Sequence, residues 1–216
     1  MPFKRPLDDI FSQTGKVRVL RHLVQTRLEQ HGRAIAAELG MSPTACHQAL
    51  KSLSAAGVVR TRVAGKTHFY QLNENHYIVK EMLLPLFARE RNLLKQALSE
   101  IAELAAPAAL SVVLFGSVAR GEEHYGSDCD VLIVVATETD KQHAKDIFFE
   151  RSAELAERFG HLPTPLFWTR VELVNYFDRR TNLLNEILRD GRVIHGHALS
   201  DISREARQLL KTRQRR

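Results

Sequence analysis

Along the first third of the chain, apolar residues recur every three or four positions; further on they alternate with polar ones or run on uninterrupted. "VRVLRHLV" from Val17 has helical spacing, and "GRAIAAELGMS" from Gly32 predicts a short helix stopped by Gly40. In "SPTACHQALKSLSAAG" Ser42 is the expected N-cap, with Pro43 in the first turn, Ala45, Leu50 and Leu53 toward the core, and Gly57 at the end. "VVRTRVAGKTHFYQL", residues 58–72, reads as two alternating strands around a basic "AGK" turn. A long helix is expected over residues 77–104 with Pro85 as a kink or break, then a hinge in "APAAL", residues 106–110. Beyond it, "LSVVLFGS" from Leu110, "VLIVVAT" from Val131 and "TPLFWT" at 164–169 read as strands. "DKQHAKDIFFERSAELAERFG" and "RVELVNYFDRR" read as helices between and after them. The pattern predicts an α+β chain of two domains, the second a mixed sheet with helices.

Charge sharpens that division. Of 31 Lys and Arg and 25 Asp and Glu, residues 1–75 hold eleven basic against five acidic, so the remainder holds twenty of each and the net charge of +6 is all N-terminal. A basic unit joined to a neutral one implies an anionic partner such as nucleic acid for the first. Composition is that of a globular protein, 44% apolar and 26% charged. No apolar run approaches twenty residues and the opening residues lack a signal-peptide core, so the expected location is cytoplasmic. Cys46 and Cys129 stand in unrelated contexts and are read as buried, reduced thiols.

Two helices joined by a tight "LGMS" turn, the second opening on small polar residues, have the layout of a helix-turn-helix, and a basic hairpin follows at once. Residues 12–75 thereby resemble the winged helix of ArsR- and MarR-like bacterial regulators. The resemblance implies double-stranded DNA as partner and transcription regulation as role. It would present Ser42, Thr44, His47, Gln48 and Lys51 to bases and backbone, with Arg60, Arg62, Lys66 and His68 on the wing. Winged helices also serve as docking modules; the coincidence of excess charge with this pattern favours DNA. The long helix that follows commonly forms a dimer interface in such regulators, implying a homodimer, and packing against the second domain is an equally physical reading.

The sharpest chemistry lies in "LFGSVARGEEHYGSDCD", residues 114–130. Strand alternation points Asp128 and Asp130 one way and Cys129 the other, into the core. Two crowded carboxylates raise one pKa or take a cation between them, and oxygen-only ligands favour Mg²⁺ or Mn²⁺. The order of strand, Gly116-Ser117, Arg120, ten intervening residues from Ser117 to Asp128, then Asp-x-Asp opening a strand, resembles the polymerase-β-like nucleotidyltransferases, most closely the minimal prokaryotic ones. It covers about residues 108–196, with "LLNEILRDGRVIHG" as the closing helix and strand.

That resemblance implies a nucleotide site of Gly116, Ser117, Arg120 and Ser127, with Asp128 and Asp130 as catalytic metal ligands and an NTP as substrate. Arg120 could equally pair with Glu122 or Glu123. Active members of the family place a third carboxylate on a later strand, yet "TPLFWT" has no acid, and Glu172 and Asp178 fall in the helix beyond. His161 is read as a loop residue, Trp168 as core and "KTRQRR" as a solvated end. The expected organisation is a DNA-binding domain at 1–75, a linker and dimerisation helix at 76–106, a nucleotidyltransferase domain at 107–197, and a helix and basic tail at 198–216. Two functions follow: a Mg²⁺-dependent nucleotidyltransferase, possible with a helical toxin–antitoxin partner and an autoregulatory winged helix, or a DNA-binding regulator with a degenerate, nucleotide-sensing domain.

Overall fold

The computed structural model describes residues 4–124, 126–160 and 163–214. They divide into two compact units, 1–92 and 93–216. His161 and the last two residues of the basic tail lie outside the described residues. No helix among them is long and apolar enough to cross a membrane.

The first unit opens with α1 (Pro6–Ile10) and α2 (Thr14–Thr26), then β1 (Gln30–His31), α3 (Gly32–Glu38), α4 (Pro43–Ala55), β2 (Val59–Ala64) and β3 (Thr67–Leu72). α4 starts where expected because the Ser42 hydroxyl accepts the Ala45 N–H at 3.2 Å. Its buried stripe is Cys46, Ala49, Leu50 and Leu53, spaced i, i+3, i+4, i+7. Ala45 is exposed, not in the core as expected, because it lies one helical step, about 100°, off that stripe. β2 and β3 form the hairpin, Gly65 adopting φ +61° in its turn, and β1 pairs on the outer side of β3, giving the order β1-β3-β2.

Pro85 does not break the long helix. A π-helical turn, Val79–Leu83, precedes α5 (Leu84–Ala105), and the Leu84 N–H reaches back five residues to the Val79 carbonyl. Proline has no N–H to offer the preceding turn and its ring crowds the carbonyl there, so the helix widens by one residue and continues. α5 contributes Phe87 to the first core and Ile101, Leu104 and Ala105 to the second. The expected hinge near 106–110 is a turn inside the second unit, leading straight into β4 (Ala109–Leu114).

After β4 come α6 (Gly116–Arg120), β5 (Cys129–Val135), α7 (Glu138–Phe159), β6 (Pro163–Thr169), α8 (Arg170–Arg179), α9 (Asn182–Asp190), β7 (Arg192–Gly196) and α10 (Leu199–Gln214). The mixed sheet runs β6-β5-β4-β7, with β5 and β6 parallel and the other neighbours antiparallel. Strand alternation divides its residues between two cores. Val131, Ile133 and Phe167 pack with Leu104, Val118 and Phe148 on one face; Leu132, Val134 and Trp168 pack with Leu173, Ile187 and Ile202 on the other. Trp168 is core, as expected, stacked on Tyr176 at 4.0 Å between centroids. Helices thus cover both faces, and the ends of β4 and β5 are left to carry chemistry.

Candidate functional site

At the end of β4 the chain turns through Gly116 with φ +76°, a conformation L side chains rarely adopt. A Cβ at this position would land on Oδ2 of Asp130. The backbone of Gly116 and the carboxylate of Asp130 are therefore in direct apposition, and only glycine allows it. The Phe115 N–H donates to the Asp130 carbonyl at 3.0 Å, fixing the two strand ends to one another. Ser117, half-buried, stands in the first turn of α6, and Gly121 at φ +71° ends that helix.

Asp128 is exposed immediately before β5, Cys129 is buried in the core on one face, and Asp130 is half-buried on the other. The carboxyl of Asp130 is held above its ordinary range, first by burial and then by Asp128, with Arg120 pulling the other way. Burial, followed by Asp130 and Glu123, pushes the Cys129 thiol up to about 11, so it stays protonated and unreactive. Both cysteines are free and buried, as expected.

The remaining expected nucleotide ligands are engaged with the protein. Arg120 Nε donates to Glu122 at 2.7 Å, and its Nη1 lies 3.6 Å from Asp190, which Arg189 also binds at 2.8 Å. Ser127 Oγ accepts the His124 N–H at 2.7 Å and so closes the turn before Asp128. Glu122 and Asp190, which hold Arg120, were invisible as a pair in the sequence because Asp190 comes from the distant end of α9. No third carboxylate joins the two aspartates: among the described residues no group of three metal-ligating side chains occurs. Glu172 caps α8 at the Thr169 N–H and takes two bonds from Lys141, each 2.8 Å, while Asp178 pairs with Arg207 at 2.7 Å. Asp128 and Asp130 are hard oxygen donors suited to one Mg²⁺ or Mn²⁺, and phosphate oxygens can supply the coordination they leave open.

In the first unit, Thr44, His47, Gln48 and Lys51 are exposed on α4 at i, i+3, i+4, i+7, opposite the buried stripe. Arg60 and Lys66 are exposed on the hairpin. A groove of about 730 Å³ runs between α4 and the hairpin tip, lined by Arg33, Thr44, His47, Lys66, His68 and Tyr70 among others. Arg33 was not anticipated; its signal was a basic residue beside Gly32 at a helix start. Two expected contacts have structural work already. Ser42 caps α4, and Arg62 binds Glu29 through two hydrogen bonds while its guanidinium lies 4.8 Å from the Phe69 ring centre. That bond holds the Glu29 carboxyl below its ordinary range.

Residues 96–198 match the sequence profile of the family described as polymerase beta, nucleotidyltransferase, and residues 31–60 match a winged helix-turn-helix DNA-binding profile. No curated protein matches the chain. Among solved structures it is similar to NolR from Sinorhizobium fredii, at 25% identity, 38% of this chain, 79% of that one and a TM-score of 0.33. A homodimeric winged helix-turn-helix DNA-binding domain from Mycobacterium bovis aligns at 21% identity over 41% of this chain and 81% of that one, TM-score 0.34. A toxin–antitoxin structure with AMP-PNP aligns at 16% identity over 54% and 89%, TM-score 0.33.

Proposed function

We propose, from the premise that this chain carries a nucleotidyltransferase domain of the polymerase beta family together with a winged helix-turn-helix, that it transfers a nucleotidyl group from an NTP in a Mg²⁺- or Mn²⁺-dependent reaction and binds double-stranded DNA. The observation that carries the reading is the apposition of the Gly116 backbone and the Asp130 carboxylate, two residues past Asp128. The Ser117 hydroxyl in the turn after Gly116 can donate to a triphosphate brought to this strand end. Asp128 and Asp130 would hold the divalent ion, which when bound would offset charge on the phosphates and the leaving pyrophosphate. In the transfer a bond forms between an acceptor oxygen and the α-phosphorus, the α–β bridging P–O bond breaks, and the acceptor's proton passes to solvent. Arg120 exchanges Glu122 for a phosphate oxygen only at the expense of a 2.7 Å bond, so its contribution is the smaller one.

On the first unit, α4 reads the major groove through His47, Gln48 and Lys51 while Arg60 and Lys66 contact backbone phosphates. Exposed Met82, Leu86 and Leu93 on the long helix support its use as an interface between two copies. Binding of the chain to its own operator would make it autoregulatory.

A second reading is favoured by one observation: among the described residues no third metal-ligating side chain joins Asp128 and Asp130. In that reading the domain binds NTP and metal without turnover and the protein is a nucleotide-sensing regulator. Incubation of the full chain with α-labelled ATP, GTP, CTP or UTP and Mg²⁺ separates the two. Pyrophosphate release and label transfer, both abolished by Asp130→Ala, support the transferase; saturable binding without release supports the sensor; neither binding nor release defeats both.

A further inference from the structure

β5 and β6 run parallel in a register that sets Asp130 beside Thr164, then Leu132 beside Leu166 and Val134 beside Trp168. The latter two pairs all pack into one core, while Val131, Ile133 and Phe167 belong to the other. Strand side chains alternate, so Asp130 and Thr164 end the same row on the same face, just past the point where the core stops. Side chains directly opposite on neighbouring strands have their Cβ atoms roughly 5 Å apart. On the far side of β5, Asp130 touches Gly116. Gly116, Asp130 and Thr164 therefore form a row across three adjacent strand ends, β4, β5 and β6.

From that row we infer that Thr164 is the third side-chain position of the Asp128–Asp130 site, and that its neutral hydroxyl makes this a site that takes a divalent cation together with a nucleoside triphosphate rather than alone. The inference rests on the reading of Asp128 and Asp130 as metal ligands. Thr164 is exposed, and Pro163 and Pro165 on either side of it have no N–H to offer a ligand. Among the described residues the Thr164 hydroxyl is the polar side chain at this end of β6. Two carboxylates match the charge of one divalent ion but fill few of its coordination positions, and affinity for such ions follows the number of charged ligands. The phosphate oxygens of an NTP provide the missing ligands and further negative charge. A carboxylate at position 164 would provide them from the protein and remove the dependence on nucleotide.

Calorimetric titration of the full-length protein with Mn²⁺, alone and in the presence of each of the four common NTPs, tests this. The wild type is expected to bind Mn²⁺ weakly alone and at least tenfold more tightly with an accepted NTP. Thr164→Asp is expected to tighten binding of Mn²⁺ alone by tenfold or more and to shrink the NTP enhancement, whereas Thr164→Asn changes neither. Thr164→Glu is a second carboxylate variant, and circular dichroism with thermal melting verifies that each variant is folded. If both carboxylate variants fold and bind Mn²⁺ alone as the wild type does, while Asp130→Asn abolishes the NTP-supported binding, Thr164 lies outside the site and the inference fails with the aspartate reading intact. If Asp130→Asn also leaves Mn²⁺ binding unchanged, the aspartate reading itself fails and takes the inference with it.

Discussion

In the proposed function the two units would meet phosphate in opposite ways. On the first, the exposed face of α4 and the hairpin spread Lys51, Arg60 and Lys66 over a broad surface, and His47 and Gln48 lie among them. On the second, the candidate chemistry narrows to one glycine and two carboxylates, and the basic side chains of α6 and α9 beside them are paired: Arg120 with Glu122 and Asp190, and Arg189 with Asp190. Summed surface charge gives a graded response, in which each lost contact lowers affinity by a factor. A metal-binding pair gives an all-or-none one, because half a ligand set does not hold the ion. Mutation of the two units should therefore differ in kind as well as in size.

The largest effect expected is on nucleotidyl transfer. Asp128→Ala and Asp130→Ala should each reduce pyrophosphate release by at least about 10³-fold, several kcal/mol of transition-state stabilisation. DNA affinity, measured by fluorescence anisotropy on the same preparations, should stay at the wild-type value. Parallel loss of both would mean that the units do not act separately. Gly116→Ala comes next: the added Cβ meets Oδ2 of Asp130, and the positive φ costs an alanine roughly 1–2 kcal/mol. NTP-supported metal binding should fall by about tenfold. Unchanged binding would show that the Gly116–Asp130 contact does not shape the site.

How far the sequence disclosed these sites depends on whether their residues are near one another along the chain. Gly116, Ser117, Asp128 and Asp130 lie within fifteen residues, and the strand alternation and glycine turn that bring them together are local. The buried Cys129 between two outward aspartates was legible for the same reason. The two faces of α4 were legible from periodicity, except that Ala45 sat one position from the true stripe, and a small residue gives the pattern no weight to decide. Partners brought from afar were not legible. Nothing local pairs Arg62 with Glu29, which meet because β1 joins the far side of β3. Nothing local joins Arg120 to Asp190, or sets Thr164 beside Asp130, since both depend on sheet order. The continuity of the helix past Pro85 was hidden too, because a π turn has no residue signature.

The wing sharpens the comparison at a smaller scale. Lys66→Ala should weaken binding to all DNA sequences alike and lower the slope of log affinity against log salt by about one, while Gln48→Ala should change sequence preference. Arg62 offers the opposite sign. Glu29→Gln removes the acid that holds it, and the freed guanidinium should steepen the salt slope by up to about one and raise affinity a few-fold. A decrease would show that Arg62 works on DNA only when oriented by Glu29, or that the pair serves to hold the hairpin in place.

The smallest effect concerns stability without any ligand. Folding raises the pKa of Asp130, chiefly by burial and then by Asp128, above the roughly 3.9 of an unfolded aspartate. Such a group favours the folded state fully below its unfolded pKa, and that contribution is lost as pH rises through the folded value. At neutral pH the ionised Asp130 is therefore a cost, which Asp130→Asn removes. In metal-free buffer at pH 7 this variant should melt above the wild type by no more than a few degrees, about 1 kcal/mol or less for a unit of this size. The difference should vanish as the pH falls below about 4, where the wild-type carboxyl is protonated as well. Divalent ion and NTP together should then reverse the order, stabilising the wild type and leaving Asp130→Asn where it was. A variant that melts lower at pH 7 without metal would make Asp130 a structural carboxylate, and the contrast between a surface of summed charges and a site of committed ligands would lose its second half.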